Sequence, residues 1–141
     1  MYFESGYTYH IYNRGNNKQK IFFNEENYLF FLMKMRKELS DSFYFIAYCL
    51  MPNHFHLLVQ VKVPQNSSDD LKSSDEYQYS KQISNKIAIL LRSYTRAVNV
   101  RENRTGSLFQ QKTKAKCLNE FETHRNDYIE TCYHYIHQNP L

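Results

Sequence analysis

The stretch CLMPNHFHLLVQV, Cys49 to Val61, decides the reading of this chain. Pro52 and Asn53 interrupt two apolar runs, Phe43 to Met51 and His54 to Val63, as the turn of an antiparallel hairpin does. Strand side chains alternate between faces, so Phe55, Leu57 and Val59 take one side while His54 and His56 stand together on the other. Two imidazoles held side by side inside an apolar strand are half of a metal site, because each offers a nitrogen lone pair.

The flanking sequence gives that hairpin its context. Upstream, YTYHIYNRG (Tyr7 to Gly15) alternates and then breaks at Asn-Arg-Gly, which predicts a first strand ending in a loop. NEENYLFFLMKMRKELSD follows, with Asn24 as N-cap and Tyr28, Phe31, Leu32, Met35 and Leu39 at helical spacing. Downstream, Pro64 to Ser80 is rich in Ser and Asp and reads as a polar, flexible insertion within the domain. Lys81 to Asn99 resumes helical periodicity through Ile83, Ile87, Leu90, Leu91, Tyr94 and Val98, with Lys81, Lys86, Arg92 and Arg96 on a basic outer face. Gly106 to Leu118 predicts a fourth strand, and Glu122 to Gln138 a last helix stopped by Asn139-Pro140.

Strand, helix, strand, strand, helix, strand is the order of a ferredoxin-like α+β fold, RRM-like in its four-stranded antiparallel sheet with helices on one face. The last helix is an addition. With 141 residues the chain fits one domain, 1–141. Three scattered cysteines, Cys49, Cys117 and Cys132, form no CxxC pair and suit a reducing compartment, so the cytoplasm is expected. No run approaches the roughly 18 apolar residues of a membrane span, and none of the start resembles a secretory leader. The formal charge of +4, with 13 Tyr and 10 Phe but no Trp, is compatible with a polyanionic partner without requiring one.

In the last helix Tyr135 and Asn139 are four residues apart and share a face. Asn139 can complete a set of two nitrogens and one oxygen with His54 and His56, leaving open positions beside a Tyr135 hydroxyl. Such a donor set suits Mg²⁺ or Mn²⁺, and zinc also fits it. The plainer alternative makes Tyr135 one of three packing tyrosines, with Tyr128 and Tyr133, and Asn139 a helix stop.

The ordered set YHIYNRG, CLMPNHFHLLV, GSLFQQKTK and YIHQNP resembles the single-tyrosine HUH transposases, specifically the REP-associated tyrosine transposase branch, from about Tyr7 to Leu141. The resemblance implies metal ligands at His54, His56 and Asn139 and a nucleophile at Tyr135. It implies metal-dependent cleavage and strand transfer of single-stranded DNA at hairpins or palindromic repeats through a 5′-phosphotyrosine link, by a monomer or, as in the insertion-sequence relatives, a dimer. Members usually continue past the Asn-Pro, whereas this sequence ends at Leu141.

Asn13 and Arg14 end the first strand within the family's NRG stretch, and Lys112, Lys114 and Lys116 alternate onto one face, suited to a phosphate backbone. Lysines protecting an edge strand are the alternative. His10 alternates with Tyr12 and reads as a satisfied or exposed histidine, with a place beside the metal face as the alternative. Two other functions fit the same order of elements. One is a single-stranded nucleic-acid-binding module without chemistry, which needs Tyr and Phe on the open face. The other is a small phosphodiesterase in which metal-bound water attacks.

Overall fold

A computed structural model describes residues 1–64 and 73–119. The expected last helix, with Tyr135 and Asn139, lies outside the described residues. Strands β1 (Thr8–Arg14), β2 (Phe43–Met51), β3 (His54–Val61) and β4 (Lys114–Cys117) and helices α1 (Glu25–Leu39) and α2 (Ser73–Arg101) follow in the order β1, α1, β2, β3, α2, β4. The sheet runs β2-β3-β1-β4, antiparallel throughout. This is the ferredoxin-like arrangement that the element order predicts.

The side chains explain the elements. Asn24 caps α1 by accepting from the Asn27 backbone N–H at 3.0 Å, and Glu25 and Glu26 in the first turn complement the positive end of the helix dipole. Phe31, Met35 and Leu39 of α1 and Ile83, Ile87, Leu90, Tyr94 and Val98 of α2 are buried against the sheet. They meet Ile11 of β1 and Phe55, Leu57 and Val59 of β3. Tyr94 is fully buried and donates its hydroxyl to the Ile21 carbonyl at 2.5 Å, so the ring contributes area while its polar tip is satisfied.

Two boundaries differ from the sequence-based expectation. The polar insertion to Ser80 is shorter than expected, because α2 already begins at Ser73. Asp75 and Glu76 lie in its first turn, and Ser80 is buried where its Oγ accepts from the Phe3 N–H at 2.8 Å. The fourth strand is only Lys114–Cys117, and the residues before it meet the end of β1 through an isolated bridge, Gly15 to Phe109, and the Gln110 N–H donating to the Arg14 carbonyl at 2.9 Å.

The sheet's other face is not wholly polar. A bulge between Phe45 and Ala47 reverses the alternation of β2. Phe43 therefore points to the helices while Ala47 and Cys49 join Leu58 and Leu118 in a small apolar cluster on the opposite side. Among the described residues no helix is long and apolar enough to cross a membrane.

Candidate metal and DNA site

The turn that launches β3 is held from outside the hairpin. Gly15 donates its N–H to the Asn53 carbonyl at 2.9 Å, and the N–H groups of Ile21 and Phe22 converge on the Pro52 carbonyl at 2.8 and 3.1 Å. Gly15 is required by a close approach, since a Cβ there would lie 2.0 Å from the Gln19 carbonyl oxygen. The NRG segment thus fixes the position of the residue before His54.

On β3 the two imidazoles sit as the alternation predicts, with ring centroids 5.1 Å apart and planes nearly perpendicular. Each has its Nδ1 engaged. His54 Nδ1 lies 2.6 Å from Asn53 Oδ1, an acceptor, so this nitrogen carries the proton and the lone pair is at Nε2. His56 Nδ1 lies 2.9 Å from His10 Nε2, and the two rings stack with centroids 5.1 Å apart. His10 and Tyr12 come from β1, which places Tyr12 directly opposite His56. A metal-ligating histidine is ordinarily oriented by just such a bond from its second nitrogen.

Burial keeps these rings uncharged. It pulls His56 down to about 4, helped by His10 and His54, and His10 to about 4, helped by the Lys116 ammonium. Burial lowers His54 as well. At neutral pH the lone pairs are therefore available. Among the described residues no group of three or more His, Cys, Asp or Glu converges on a metal position. The two histidines are the donors these residues supply, and Asn139 falls outside them.

His54 and His56 open onto a pocket of about 470 Å³ that is also lined by Arg14, Lys18, Lys112 and Lys114. Arg14 is exposed and pairs across the ladder with His54, and Lys114 pairs with Tyr12 and Lys116 with His10. Lys112 precedes β4 instead of lying in it, yet still lines the pocket. Asn13 is buried, its Nδ2 donating to the Gln110 carbonyl at 3.1 Å and to Thr113 Oγ1 at 3.0 Å, and it clasps β1 to the segment leading into β4. Sequence alone does not join His10 to His56. Its signal was the parity of His10 with Tyr12, but the pairing depends on the β1–β3 register, which one sequence does not give.

The family described as "Transposase IS200 like" matches residues 4–139. The chain belongs to the IS200-like transposase family. Its fold is similar to that of a REP-associated tyrosine transposase solved bound to a REP hairpin, with 17% identity, a TM-score of 0.53 and coverage of 95% of this chain and 72% of that one. A candidate transposase of Deinococcus radiodurans R1 is similar at 14% identity and a TM-score of 0.52, over 98% of this chain and 94% of the other. No curated protein matches the sequence. An IS200-like transposase is a DNA-processing enzyme by family, and here the His54–His56 pair shares its pocket with Arg14, Lys18, Lys112 and Lys114.

Proposed function

We infer that this IS200-like transposase cleaves and rejoins single-stranded DNA at hairpin-associated sites, with Tyr135 as nucleophile and with His54, His56 and Asn139 as ligands of a divalent cation, Mg²⁺ or Mn²⁺. The observation that carries this is the histidine pair: two uncharged imidazoles on one strand face, each with Nδ1 engaged, beside Arg14, Lys112 and Lys114. The donors present fit such an ion, since two nitrogens of fixed separation leave positions for oxygen ligands. When bound, the ion would polarise a phosphate oxygen and offset the charge that grows on it.

The chain's own residues account for the remaining work. For His56 to ligate through Nε2 its Nδ1 must carry the proton, and His10 Nε2 is then the acceptor that holds the ring in that tautomer. Asn53 does the same for His54. Arg14, Lys112, Lys114 and Lys116 lie where a phosphate backbone would cross the face, and Asn13 fixes the loop that carries Lys112. The Tyr135 oxygen attacks phosphorus in line, the bond from phosphorus to the 3′ oxygen breaks, and that oxygen leaves as a 3′-hydroxyl once protonated. The 5′-phosphotyrosine link keeps the bond energy, so a second 3′-hydroxyl can reverse the step and join strands. A phenol of pKa near 10 needs help to lose its proton at neutral pH, and a divalent cation held by His54, His56 and Asn139 would lower that cost.

The test is a denaturing gel after labelled hairpin DNA is incubated with the protein and Mn²⁺. A covalent adduct that requires the metal and disappears in Tyr135→Phe and His56→Ala is expected. Cleavage surviving Tyr135→Phe would transfer the attack to metal-bound water. Binding with no adduct on any hairpin would favour a nucleic-acid-binding module.

A further inference from the structure

A second groove is larger than the histidine pocket. It has a volume of about 1030 Å³ and runs between α2 and residues 104–113. Four cations line it, Arg92, Arg96, Arg104 and Lys112, and among its described lining residues there is no Asp or Glu. None of the four forms an ion pair with a described carboxylate; the Arg101–Glu26 pair lies elsewhere.

The most informative of these cations is Arg104. Its guanidinium donates to Asn99 Oδ1, to Gln19 Oε1 at 2.9 Å and to the Ser107 carbonyl at 3.4 Å. These acceptors are all neutral, so they fix the group in place without cancelling its charge. Asn99 also donates to the Gly106 carbonyl at 3.0 Å, which ties the groove's second wall to α2. Arg92 and Arg96 are exposed and one helical turn apart, about 6 Å along the axis, on the same face. A cationic trough with one preset guanidinium is complementary to a polyanion.

Its position says which one. Gln110 and Lys112 line both this groove and the histidine pocket, so the two adjoin at the segment leading into β4. A chain of phosphates leaving the histidine face past Lys112 would meet the trough next. The aromatic residue lining the groove, Phe109, is buried, so the trough offers no stacking platform for bases. Phosphate contact without base reading is what remains.

We propose that the groove formed by α2 and residues 104–113 is a second DNA-binding site, in which Arg92, Arg96, Arg104 and Lys112 hold the phosphate backbone of the single strand flanking the cleavage position. This extends the transposase reading, and it is tested by a quantity that needs no cleavage. Fluorescence anisotropy in EDTA, with mixed-sequence single-stranded and duplex oligonucleotides across a salt series, would compare wild type with Arg92→Gln/Arg96→Gln. Arg36→Gln/Lys37→Gln at the end of α1, outside the groove, is the matched control. Two lost phosphate contacts should lower the salt slope on single strands by roughly 1.4 and weaken binding about tenfold near 0.15 M salt. The α1 pair should do markedly less.

Equal effects of the two pairs would overturn the proposal, as would a loss confined to duplex DNA. Wild type is also incubated with hairpin DNA and Mn²⁺, and its covalent adduct is read on a denaturing gel. An adduct in wild type with unchanged single-strand binding by the groove variant would defeat the groove and leave the transposase reading standing. No adduct in wild type, with binding still lost in the groove variant, would do the reverse.

Discussion

Phe55 and His56 are neighbours in β3, yet the sheet sends them to environments with nothing in common. Phe55 is 1% exposed and touches Phe31 and Phe109 edge-on or tilted, with centroids 5.3 and 5.8 Å away, inside the cluster that joins both helices. His56 faces the other way, stacked on His10 and beside His54, and opens onto a cationic pocket. Stability comes mainly from the first face through buried apolar area. The second gathers imidazole nitrogens and positive charge, and the proposed chemistry would use it. The separation matters because a site on the far side of a packed sheet can change without dismantling the core, while the core keeps the site's spacing fixed.

Substitutions at these two neighbours should break that comparison most visibly. Phe55→Ala is expected to cost about 3–5 kcal/mol in a denaturant titration, a large share of a typical domain's stability. His56→Ala should leave the unfolding midpoint of metal-free protein nearly unchanged and yet abolish adduct formation. A His56→Ala protein that unfolds as readily as Phe55→Ala would mean that the second face is structural too.

Gly15→Ala probes the link between the faces, because its Cβ meets the Gln19 carbonyl and displaces the clasp on the Pro52-Asn53 turn. A loss of about 3 kcal/mol, with weaker Mn²⁺ binding at temperatures where the variant stays folded, is the expected result. His10→Gln sharpens the account of the second face. It should lower Mn²⁺ affinity roughly tenfold to a hundredfold with little change in melting temperature, since in the proposed site His10 would reach the ion through His56 Nδ1.

The pH dependence follows from the depressed imidazoles. His10 and His56 titrate near 4 when folded and near 6.5 when unfolded, so between those values the unfolded chain binds more protons. Their contribution is complete above about 6.5 and is lost as the pH falls toward 4; the thermal midpoint of metal-free protein should drop across that window. His10→Gln should flatten part of the drop. Asn24→Ala is the smallest change, about 1 kcal/mol from a lost helix cap, and should leave Mn²⁺ binding untouched.

How much of this was legible in sequence varied with how local the cause was. The hairpin was, because Pro52-Asn53 sits between two apolar runs and the turn closes with Met51 opposite His54. Helix α1 was, from Asn24 and the spacing of Phe31, Met35 and Leu39. The start of α2 was not: Ser73 to Ser80 reads as polar filler, and its anchors, Ser80 under Phe3 and the Tyr79 hydroxyl on the Lys62 carbonyl at 2.8 Å, are distant in sequence. The histidine pair was legible from parity alone. The His10 contact and the Asn53 clamp were not, since both depend on how β1 and the Gly15–Phe22 loop lie against the hairpin. The fourth strand came out short because residues 106–113 spend their polar groups on Asn13, Gln19 and Arg104.

The most direct test of the central claim is a Mn²⁺ titration followed by the loss of the free-ion EPR signal, run on wild type and on His54→Ala and His56→Ala. The account predicts a saturable site in wild type that weakens by more than about a hundredfold in either variant while both remain folded. Mn²⁺ binding of equal strength in wild type and both variants would show that the ion, and the chemistry assigned to this face, belong elsewhere.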